Sequence, residues 1–409
     1  MLTVQGFINN YALLEEGDKI LVAVSGGPDS IALLYLLLAL QKKYPLTLVL
    51  AHLEHGIRGE ESEKQARFVH QLGERLGLNC IIHHIDVPGL HKISKSSLEE
   101  TARVARYRFL QETAHSIQAD KIALGHTAND QAETLLMRLL RGAGIDGLSA
   151  MRPKREKNPA LIRPLLNSFR REILAFLDDQ NIAFCLDSTN RELTCLRNKI
   201  RLQLIPLLGK EYNPQIVSTL LRTASILGEE KEWMTFEVKK NLQKCVCQIN
   251  NNNLCFNLDI FSFFPLALQR EVLRQAIQHV RSSPYKIDFT KVSLVLQWLK
   301  QKQPWGMISL SPTLHLRKHP GKLWIRGEKP DAQSKAKIFS YQINIPGETQ
   351  VPELNLRILT EIIETSDQSK NFDPEKAYLD FDRLSLPLYI RTRKAGDRFQ
   401  PLPSQSGHR

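Results

Sequence analysis

The sequence contains no C-x-x-C pair, although it has six cysteines. They are scattered singly or as one C-x-C, at Cys80, Cys185, Cys195, Cys245, Cys247 and Cys255. Structural zinc sites and iron–sulfur clusters are usually held by paired thiolates, so neither is expected here. Scattered thiols are typical of proteins in a reducing cytosol.

Long apolar runs are also lacking. The longest, Ile31–Leu40, has ten residues, whereas a membrane-spanning helix needs about 20. The first residues, Met1–Gly6, lack the basic start and the apolar core of a signal peptide. We therefore expect a cytoplasmic protein with no membrane partner.

Acidic residues are in deficit. Lys and Arg total 55 and Asp and Glu total 43, which gives a net charge of +12 over 409 residues. This balance suits a polyanionic partner such as nucleic acid, with an unspecific basic surface as the alternative. The length is sufficient for two or three domains.

One polar turn stands between an apolar run of strand length and an apolar run of helix length: Ser25-Gly26-Gly27-Pro28-Asp29-Ser30. Its glycines permit positive φ and a close ligand, and its proline suits the first turn of a helix. Helix N–H groups and the helix dipole favour a phosphate at such a turn. The serine hydroxyls add two donors, and Asp29 is a candidate ligand for Mg²⁺.

The turn is not the nucleotide-binding loop G-x-x-x-x-G-K-[ST], because no lysine follows its second glycine. A tight strand-to-helix turn without a ligand is the alternative interpretation. The full pattern S-G-G-x-D-S resembles the pyrophosphate loop of the N-type ATP pyrophosphatases.

Strand-like and helix-like segments alternate through the first third of the chain. The strand-like segments are Ile20–Val24, Leu46–His52, Cys80–Val87 and Lys121–Gly125. The helix-like segments are Ser30–Gln41, Glu60–Leu76, Leu98–Gln118 and Ala128–Arg141. This alternation predicts an α/β fold with a doubly wound parallel sheet, whose ligands bind at the carboxyl ends of the strands.

Two further strand ends carry polar residues. His52 and Arg58 follow one of them, and Gly125 and His126 follow another. We expect these four residues to lie near the nucleotide. His52 and His55 could also be interpreted as a pair of metal ligands, but no third ligand is evident. Asp130 and Glu133 share a helix face and could bind Mg²⁺ or an amine, although Thr127 and Asp130 also fit a helix cap.

Several arginines are candidate contacts for phosphates. Arg103 and Arg106 share a helix face with Tyr107, after Ser96 and Glu99, which fit a capping box. Further candidates are Arg138, Arg141, Arg197, Asn198 and Arg201, the last three beside a polar turn and followed by a helix predicted to end at Pro206. A solvated basic face is the alternative for the Arg103 and Arg106 pair and for the stretch from Arg197 to Arg201.

Motifs over the N-terminal half together resemble those of the bacterial tRNA(Ile)-lysidine synthases. They are the segments 25–30, 52–58, 99–107, 125–134, 138–144, 162–166 and 187–201. The resemblance implies a PP-loop ATP-binding catalytic domain at 1–210, with an adenine nucleotide alpha hydrolase-like fold. It also implies a mostly helical domain at 211–330 that contacts the substrate or the tRNA, and an incomplete, β-rich tRNA-binding domain at 331–409.

The resemblance further implies ATP-dependent ligation of lysine to C2 of the wobble cytidine of a tRNA(Ile) with a CAU anticodon. Partners would be this tRNA and free L-lysine, with a homodimer as a candidate assembly, and cofactors would be ATP and Mg²⁺. The implied catalytic residues are Asp29, Arg103, Asp130 and Glu133. The arginines from Arg106 onward and Asn198 would contact tRNA or lysine, and the strand-end residues would contact ATP.

Three alternatives remain from the residues alone. A tRNA 2-thiocytidine synthase shares the loop but uses paired C-x-x-C motifs, which are absent here. A small-molecule amidotransferase would leave the basic C-terminal segments unexplained. A tRNA-binding homologue with impaired catalysis is compatible with an end at Arg409, before the Lys-rich helix that the family carries.

Overall fold

The computed structural model describes residues 2–56, 60–94, 96–185, 195–250, 253–280, 287–327, 339–354, 356–363 and 379–392. The chain divides into two compact units, Met1–Lys244 and Cys245–Arg409. The three-domain division at residues 210 and 330 stays a prediction.

The first unit is built on a sheet. Its described strands are β1 (Lys19–Ala23), β2 (Thr47–Glu54), β3 (Asn79–His84), β4 (Lys121–Ala123), β5 (Lys154–Arg155) and β6 (Ala160–Ile162). They lie in the order β3-β2-β1-β4-β6-β5, and all neighbours are parallel except β5 and β6. The predicted α/β fold with a parallel sheet is confirmed.

Helices connect these strands. They are α1 (Leu2–Asn10), α2 (Pro28–Leu40), α3 (Glu60–Leu76), α4 (Val87–Ile93), α5 (Leu98–Ser116), α6 (Ala128–Leu140), α7 (Ile145–Leu148), α8 (Arg170–Asp179), α9 (Leu196–Lys199), α10 (Ile205–Glu211) and α11 (Ile216–Cys245). A π-helical turn, Ile200–Leu204, joins α9 to α10. The helix predicted to end at Pro206 therefore continues to Glu211, because this wider turn accommodates the proline.

The core explains why the loop after β1 is held firmly. Ile20, Leu21 and Val22 of β1 are fully buried, as are Ile31 and Leu33 of α2. Strands of a parallel sheet are covered on both faces, so they need such continuous apolar runs. The loop between β1 and α2 therefore connects two buried elements at the carboxyl edge of the sheet.

The start of α5 differs from the predicted capping box by one residue. Ser97 is the N-cap, and its side chain accepts a hydrogen bond from the Glu100 N–H at 3.3 Å. Because α5 begins at Leu98, Ser96 and Glu99 do not occupy the N-cap and N3 positions. Glu100 instead pairs with Arg103 of the same helix, one turn further on.

Helix α11 packs against the rest of the first unit. Ala224 is buried in a cluster with Leu135 of α6 and Ala150, which follows α7. Lys231 forms an ion pair of 2.5 Å with Asp146. The first half of this helix therefore stabilises the segment between α6 and β5.

The second unit has helices α12 (Leu258–Ser262), α13 (Leu266–Val280) and α14 (Phe289–Leu299). Its described strands are β7 (Val246–Asn250), β8 (Asn253–Asn257), β9 (Gly306–Ser311), β10 (Leu314–His319), β11 (Lys322–Gly327), β12 (Ser340–Gln342), β13 (Gly347–Val351), β14 (Leu356–Thr360) and β15 (Tyr389–Arg391). The first five form an antiparallel sheet in the order β7-β8-β11-β10-β9.

The hairpin expected at 307–326 is thus a three-stranded meander within a larger sheet, with its second turn at Pro320-Gly321 as predicted. Strands β12 and β15 pair with each other, and so do β13 and β14. These two small antiparallel ladders agree with the expected β-rich C-terminal segment.

Membrane and metal expectations can be examined within the described ranges. There, no helix combines the length and apolarity needed to cross a bilayer. The same residues contain no group of three or more His, Cys, Asp or Glu side chains arranged around a metal ion. All six cysteines are free thiols.

A buried ion pair closes the edge of the sheet opposite the loop. Lys121, at the start of β4, is only 4% exposed. Its Nζ donates to Asp18 Oδ2 at 2.7 Å and to Glu15 Oε1 at 2.9 Å. Asp18 is 6% exposed, so its charge depends on this partner.

We predict that Lys121→Met destabilises the first unit by about 3–5 kcal/mol, because it leaves the Asp18 carboxylate buried without a cation. Hydrogen exchange of the β1 and β4 amides in urea measures this loss. Lys154→Met is the matched control, since Lys154 lies at 4.0 Å from Glu15 and is partly exposed. Equal exchange rates in the two variants would contradict the prediction.

Candidate active site

The loop Ser25–Ser30 is held by its own serines. Ser30 Oγ donates to the Gly27 carbonyl at 2.9 Å and accepts from the Ser25 N–H at 3.1 Å. Helix α2 begins at Pro28, and no side chain caps it. Its first N–H groups are therefore available to an anion, as predicted for a phosphate-binding turn.

Two glycines are required by the backbone here. Gly26 has a φ of +87°, in the left-handed region that favours glycine. At Gly125, an added Cβ would lie 2.9 Å from the Asp29 carbonyl oxygen and 3.1 Å from the Ser30 Cα. Gly125 thus permits the end of β4 to approach the start of α2 closely.

Asp29 projects from the first turn of α2. Its Oδ2 accepts from Arg170 Nη1 at 2.9 Å. Its Oδ1 is buried and has no hydrogen-bond partner. Burial raises the pKa of Asp29 to about 6, against the opposing charge of Arg170, and Asp130 and Glu133 also raise it. Asp29 is thus a partly desolvated carboxylate with one oxygen that lacks a partner.

His52 lies beneath the loop. Its side chain is buried, and its Nδ1 lies 2.8 Å from the Val24 carbonyl oxygen. Burial lowers the pKa of its ring, so the neutral ring donates to that carbonyl. This contact fixes the residue that precedes Ser25, and direct contact of His52 with a nucleotide stays a prediction.

Four charged side chains form a cluster between α6 and the segment from α9 onward. Arg197 Nη2 lies 2.7 Å from Asp130 Oδ1, and Arg197 Nε lies 2.8 Å from Glu133 Oε2. Arg201 Nε lies 2.5 Å from Glu133 Oε1 and its Nη2 lies 3.2 Å from Asp130 Oδ1. Glu133 is 1% exposed, so its charge requires these partners.

Asp130 also completes the capping box of α6 with Thr127, as the sequence predicts. Burial acts to raise the pKa of Asp130. The charges of Arg197 and Arg201 and a hydrogen bond from the Thr127 N–H outweigh this effect, so the pKa is below its usual value. Asp130 is therefore an ionised carboxylate, already occupied by cationic partners.

His126 is oriented by Arg163, which follows β6. Arg163 Nε donates to His126 Nδ1 at 3.3 Å, and its Nη1 donates to the Arg152 carbonyl at 2.8 Å. Burial lowers the pKa of His126 to about 4, where Asp130 opposes and Arg163, Arg197 and Arg106 assist. The neutral ring therefore carries its proton on Nε2 and can donate from it.

The predicted arginines of α5 and α6 make contacts other than those of Arg197 and Arg201. Arg103 forms a two-bond pair with Glu100 and lies over the Tyr107 ring at 5.6 Å. Arg138 Nη1 donates to the carbonyls of Gly147 and Ala150, both at 2.8 Å. Arg138 thus holds the segment after α6.

The remaining predicted site residues lie on α5, α6 and α9 or outside the described residues. Arg106 is exposed on α5, and Arg141 is exposed at the end of α6. Asn198 lies in α9, where its N–H donates to Cys195 Sγ at 3.4 Å. Arg58 lies outside the described residues.

The structure thus brings Asp29, Gly125 and the α6 carboxylates to one edge of the sheet. Two partners were missed from the sequence, Arg163 and Arg170. Arg163 directly follows β6, so the strand-end rule could have found it. No sequence signal pairs Arg170 with Asp29, which lies 141 residues earlier.

One oxygen atom of the site has the properties of a Mg²⁺ ligand. The unpartnered Oδ1 of Asp29 is an oxygen ligand of the kind this ion prefers. Mg²⁺ is often bound by one or two carboxylates together with substrate phosphates and water. The residues present therefore fit an ion that arrives with a phosphate ligand, with Asp29 as the protein ligand.

Ionisation of Asp29 is expected to lower the free energy of unfolding of the ligand-free protein above pH 6. Its folded pKa of about 6 exceeds the ordinary value of 3.8, so ionisation costs up to about 3 kcal/mol of stability above both values. That cost is lost as the pH falls through 6. We predict that Asp29→Asn raises the unfolding midpoint of the metal-free protein at pH 8, by less at pH 5.

Thermal unfolding of both proteins with a chelator, between pH 5 and pH 8, measures this difference. Asp179→Asn is the control, since Asp179 is exposed on α8. A difference between Asp29→Asn and the unsubstituted protein that stays constant with pH would contradict the assignment of a raised pKa.

Residues 3–208 match the PP-loop domain family. A tRNA(Ile)-lysidine synthase of Symbiobacterium thermophilum is 34% identical over 98% of this chain and 85% of that protein. The synthase of Caldanaerobacter subterraneus is 32% identical over 97% of this chain and 83% of that protein. That of Geobacter sulfurreducens is 33% identical over 98% and 83%.

Among solved structures, a U34-tRNA thiolase of Methanococcus maripaludis matches with 22% identity and a TM-score of 0.45, over 53% of this chain and 73% of that chain. These three relatives align along 97–98% of this chain and along 83–85% of their own length. The chain belongs to the tRNA(Ile)-lysidine synthase family.

Proposed function

We propose that this protein uses ATP to attach lysine to C2 of the wobble cytidine in a tRNA(Ile) with a CAU anticodon. The observation that supports the proposal is that the loop after β1, the end of β4 and the start of α6 meet at the carboxyl edge of the parallel sheet. Asp29 lies within electrostatic reach of Asp130, Glu133 and Arg201, so the phosphate-binding loop and the ion-pair cluster form one site.

The loop is the place for the leaving pyrophosphate. Its uncapped N–H groups are donors at fixed positions, and the Ser25 hydroxyl can add a further donor. Such donors stabilise negative charge as it grows on the leaving group. The Ser30 hydroxyl already donates to the Gly27 carbonyl and so holds the loop in shape. Adenylation of the cytidine oxygen breaks the bond between the α- and β-phosphates, and pyrophosphate leaves.

Asp29 would hold Mg²⁺ through its unpartnered Oδ1. When bound, this ion would neutralise negative charge on the phosphates. Arg170 keeps the other oxygen of Asp29 in place. His126, with its proton on Nε2, would donate a hydrogen bond to an oxygen at the reacting phosphate or base.

We further propose that Arg197 and Arg201 exchange partners during the reaction. In the protein alone they neutralise Asp130 and Glu133. Phosphate oxygens are strong competitors for guanidinium groups. Binding of ATP and tRNA would draw the arginines away, and the pKa of Asp130 would rise as those charges leave.

A carboxylate released in this way can accept a proton. The lysine ammonium must lose its proton before the amine can attack C2 and displace AMP. Asp130 and Glu133 are the candidates, with Arg103, Arg106, Arg138, Arg141 and Asn198 as candidate contacts to tRNA or lysine. The homodimer and the cytoplasmic location stay predictions.

We predict incorporation of labelled lysine into a tRNA(Ile) transcript with a CAU anticodon, in the presence of ATP and Mg²⁺. The control transcript carries a different base at the wobble position and should remain unlabelled. Release of AMP and pyrophosphate in equal amounts checks the reaction type. Equal labelling of both transcripts would contradict the proposed substrate.

Asp130→Asn separates the two chemical steps. The amide cannot accept a proton, so we expect lysine transfer to slow by about 100-fold, which is typical for loss of a general base. Exchange of pyrophosphate into ATP, dependent on tRNA, should fall far less. An equal loss of both activities would assign Asp130 to the anchoring of Arg197 and Arg201 alone.

A further inference from the structure

Arg163 carries a buried positive charge at the carboxyl edge of the sheet. It directly follows β6 and is only 6% exposed. Within the described ranges it forms no ion pair with a carboxylate, whereas Arg197 and Arg201 both do. Burial lowers the pKa of its guanidinium and the charge of Arg155 lowers it further, against an opposing contribution of Tyr107. A buried cation without a counter-ion costs free energy, so its presence beside the active site points to a functional role.

The guanidinium of Arg163 reaches the site through a hydrogen bond to His126. Its Nε donates to His126 Nδ1 at 3.3 Å, and its Nη1 donates to the Arg152 carbonyl at 2.8 Å. Both acceptors are uncharged, so neither of them neutralises the cation. Because Arg163 is buried, a ligand at the edge of the sheet would meet this charge through the His126 ring and not by direct contact.

The other nitrogen of the His126 ring can donate to a ligand. Nδ1 accepts from Arg163, so the neutral ring carries its proton on Nε2. Burial lowers the pKa of His126 to about 4, which keeps the ring neutral near pH 7. The side chain is only partly buried, and its Nε2 forms no hydrogen bond with any residue that the structure describes. Hydrogen bonds in a chain polarise one another, so the cation strengthens donation from Nε2.

His126 lies beside the phosphate-binding loop. It follows Gly125, where an added Cβ would lie 2.9 Å from the Asp29 carbonyl oxygen. Asp130 is within electrostatic reach of both His126 and Asp29. The ring is therefore close to the start of α2, whose uncapped N–H groups suit the leaving pyrophosphate. The group next to that pyrophosphate in ATP is the α-phosphate, whose oxygens are strong acceptors.

We propose that Arg163 is a positioning residue, which holds His126 as a charge-assisted hydrogen-bond donor to a non-bridging oxygen of the ATP α-phosphate. The identity of this ligand rests on the proposed function. The proton stays on Nε2 throughout, so the ring orients and stabilises the phosphate without acting as an acid. A preorganised donor contributes most where charge develops in the transition state. Its loss should therefore reduce kcat for adenylation more than it raises the KM for ATP.

Exchange of pyrophosphate into ATP, dependent on tRNA, measures the adenylation step in the full chain. We expect Arg163→Met to reduce kcat by about 10- to 100-fold, as for the loss of an orienting partner, with the KM for ATP nearly unchanged. Arg155→Met is the matched control, because Arg155 is exposed on β5 and its loss removes a nearby charge. This control should exchange pyrophosphate like the unsubstituted protein.

A double substitution separates this role from support of the fold. If Arg163 acts through His126, adding Arg163→Met to His126→Ala should cost little beyond His126→Ala alone. Arg163→Lys retains a cation and should lose less kcat than Arg163→Met, and it replaces that variant in the double substitution if Arg163→Met does not fold. Losses that multiply in the double variant would overturn the proposal, since Arg163 would then act independently of the ring.

Nitrogen NMR of the histidine rings gives a measurement that needs no turnover, with His126→Gln to assign the signal. We expect a proton on His126 Nε2 and none on Nδ1. The Nε2–H signal should shift when an ATP analogue with a methylene bridge between its α- and β-phosphates binds, and adenosine should leave it unchanged. A proton on Nδ1, or an equal response to adenosine, would overturn the proposal. The expected shift in a protein unable to make lysidine would refute only the proposed function.

Discussion

The burial of Glu133 is the constraint on which the active-site edge depends. A carboxylate that is 1% exposed needs cations in contact, and it takes them from Arg197 and Arg201. Those arginines belong to a segment more than 60 residues away, so one buried charge fastens that segment to α6. Asp130 uses the same arginines while it caps α6, which links the helix start to the cluster.

The sequence was sufficient to predict elements whose signals are local. Helix α3 was predicted to the residue, and the loop at Ser25–Ser30 lies at the strand end where it was expected. The predicted N-cap of α5 was Ser96, one residue before the observed N-cap Ser97, because the hydroxyl of either serine can cap a helix. Strands β7 and β8 were not predicted, since asparagine and cysteine make up half of their residues and only three central residues of β8 are buried.

Partners at a distance could not be predicted. The candidates Asp29, Asp130 and Glu133 were identified from residue type and from their positions near strand ends. Arg197 and Arg201 were identified as basic residues beside a turn. Their pairing depends on where chain segments meet, and the periodicity of a segment carries no information about its neighbours. The same limit explains why the ion pairs of Lys121 were not predicted, since its two carboxylate partners lie more than 100 residues earlier in the chain.

An unsatisfied buried atom connects the stability of the free protein to its proposed function. Folding alone would disfavour an unpartnered carboxylate oxygen on Asp29. This atom is an acceptor beside an uncapped helix start, which suits a cation that accompanies phosphates. The unsatisfied atom is thus complementary to one charged part of a nucleotide ligand, so a stability cost in the free protein becomes binding energy in the complex.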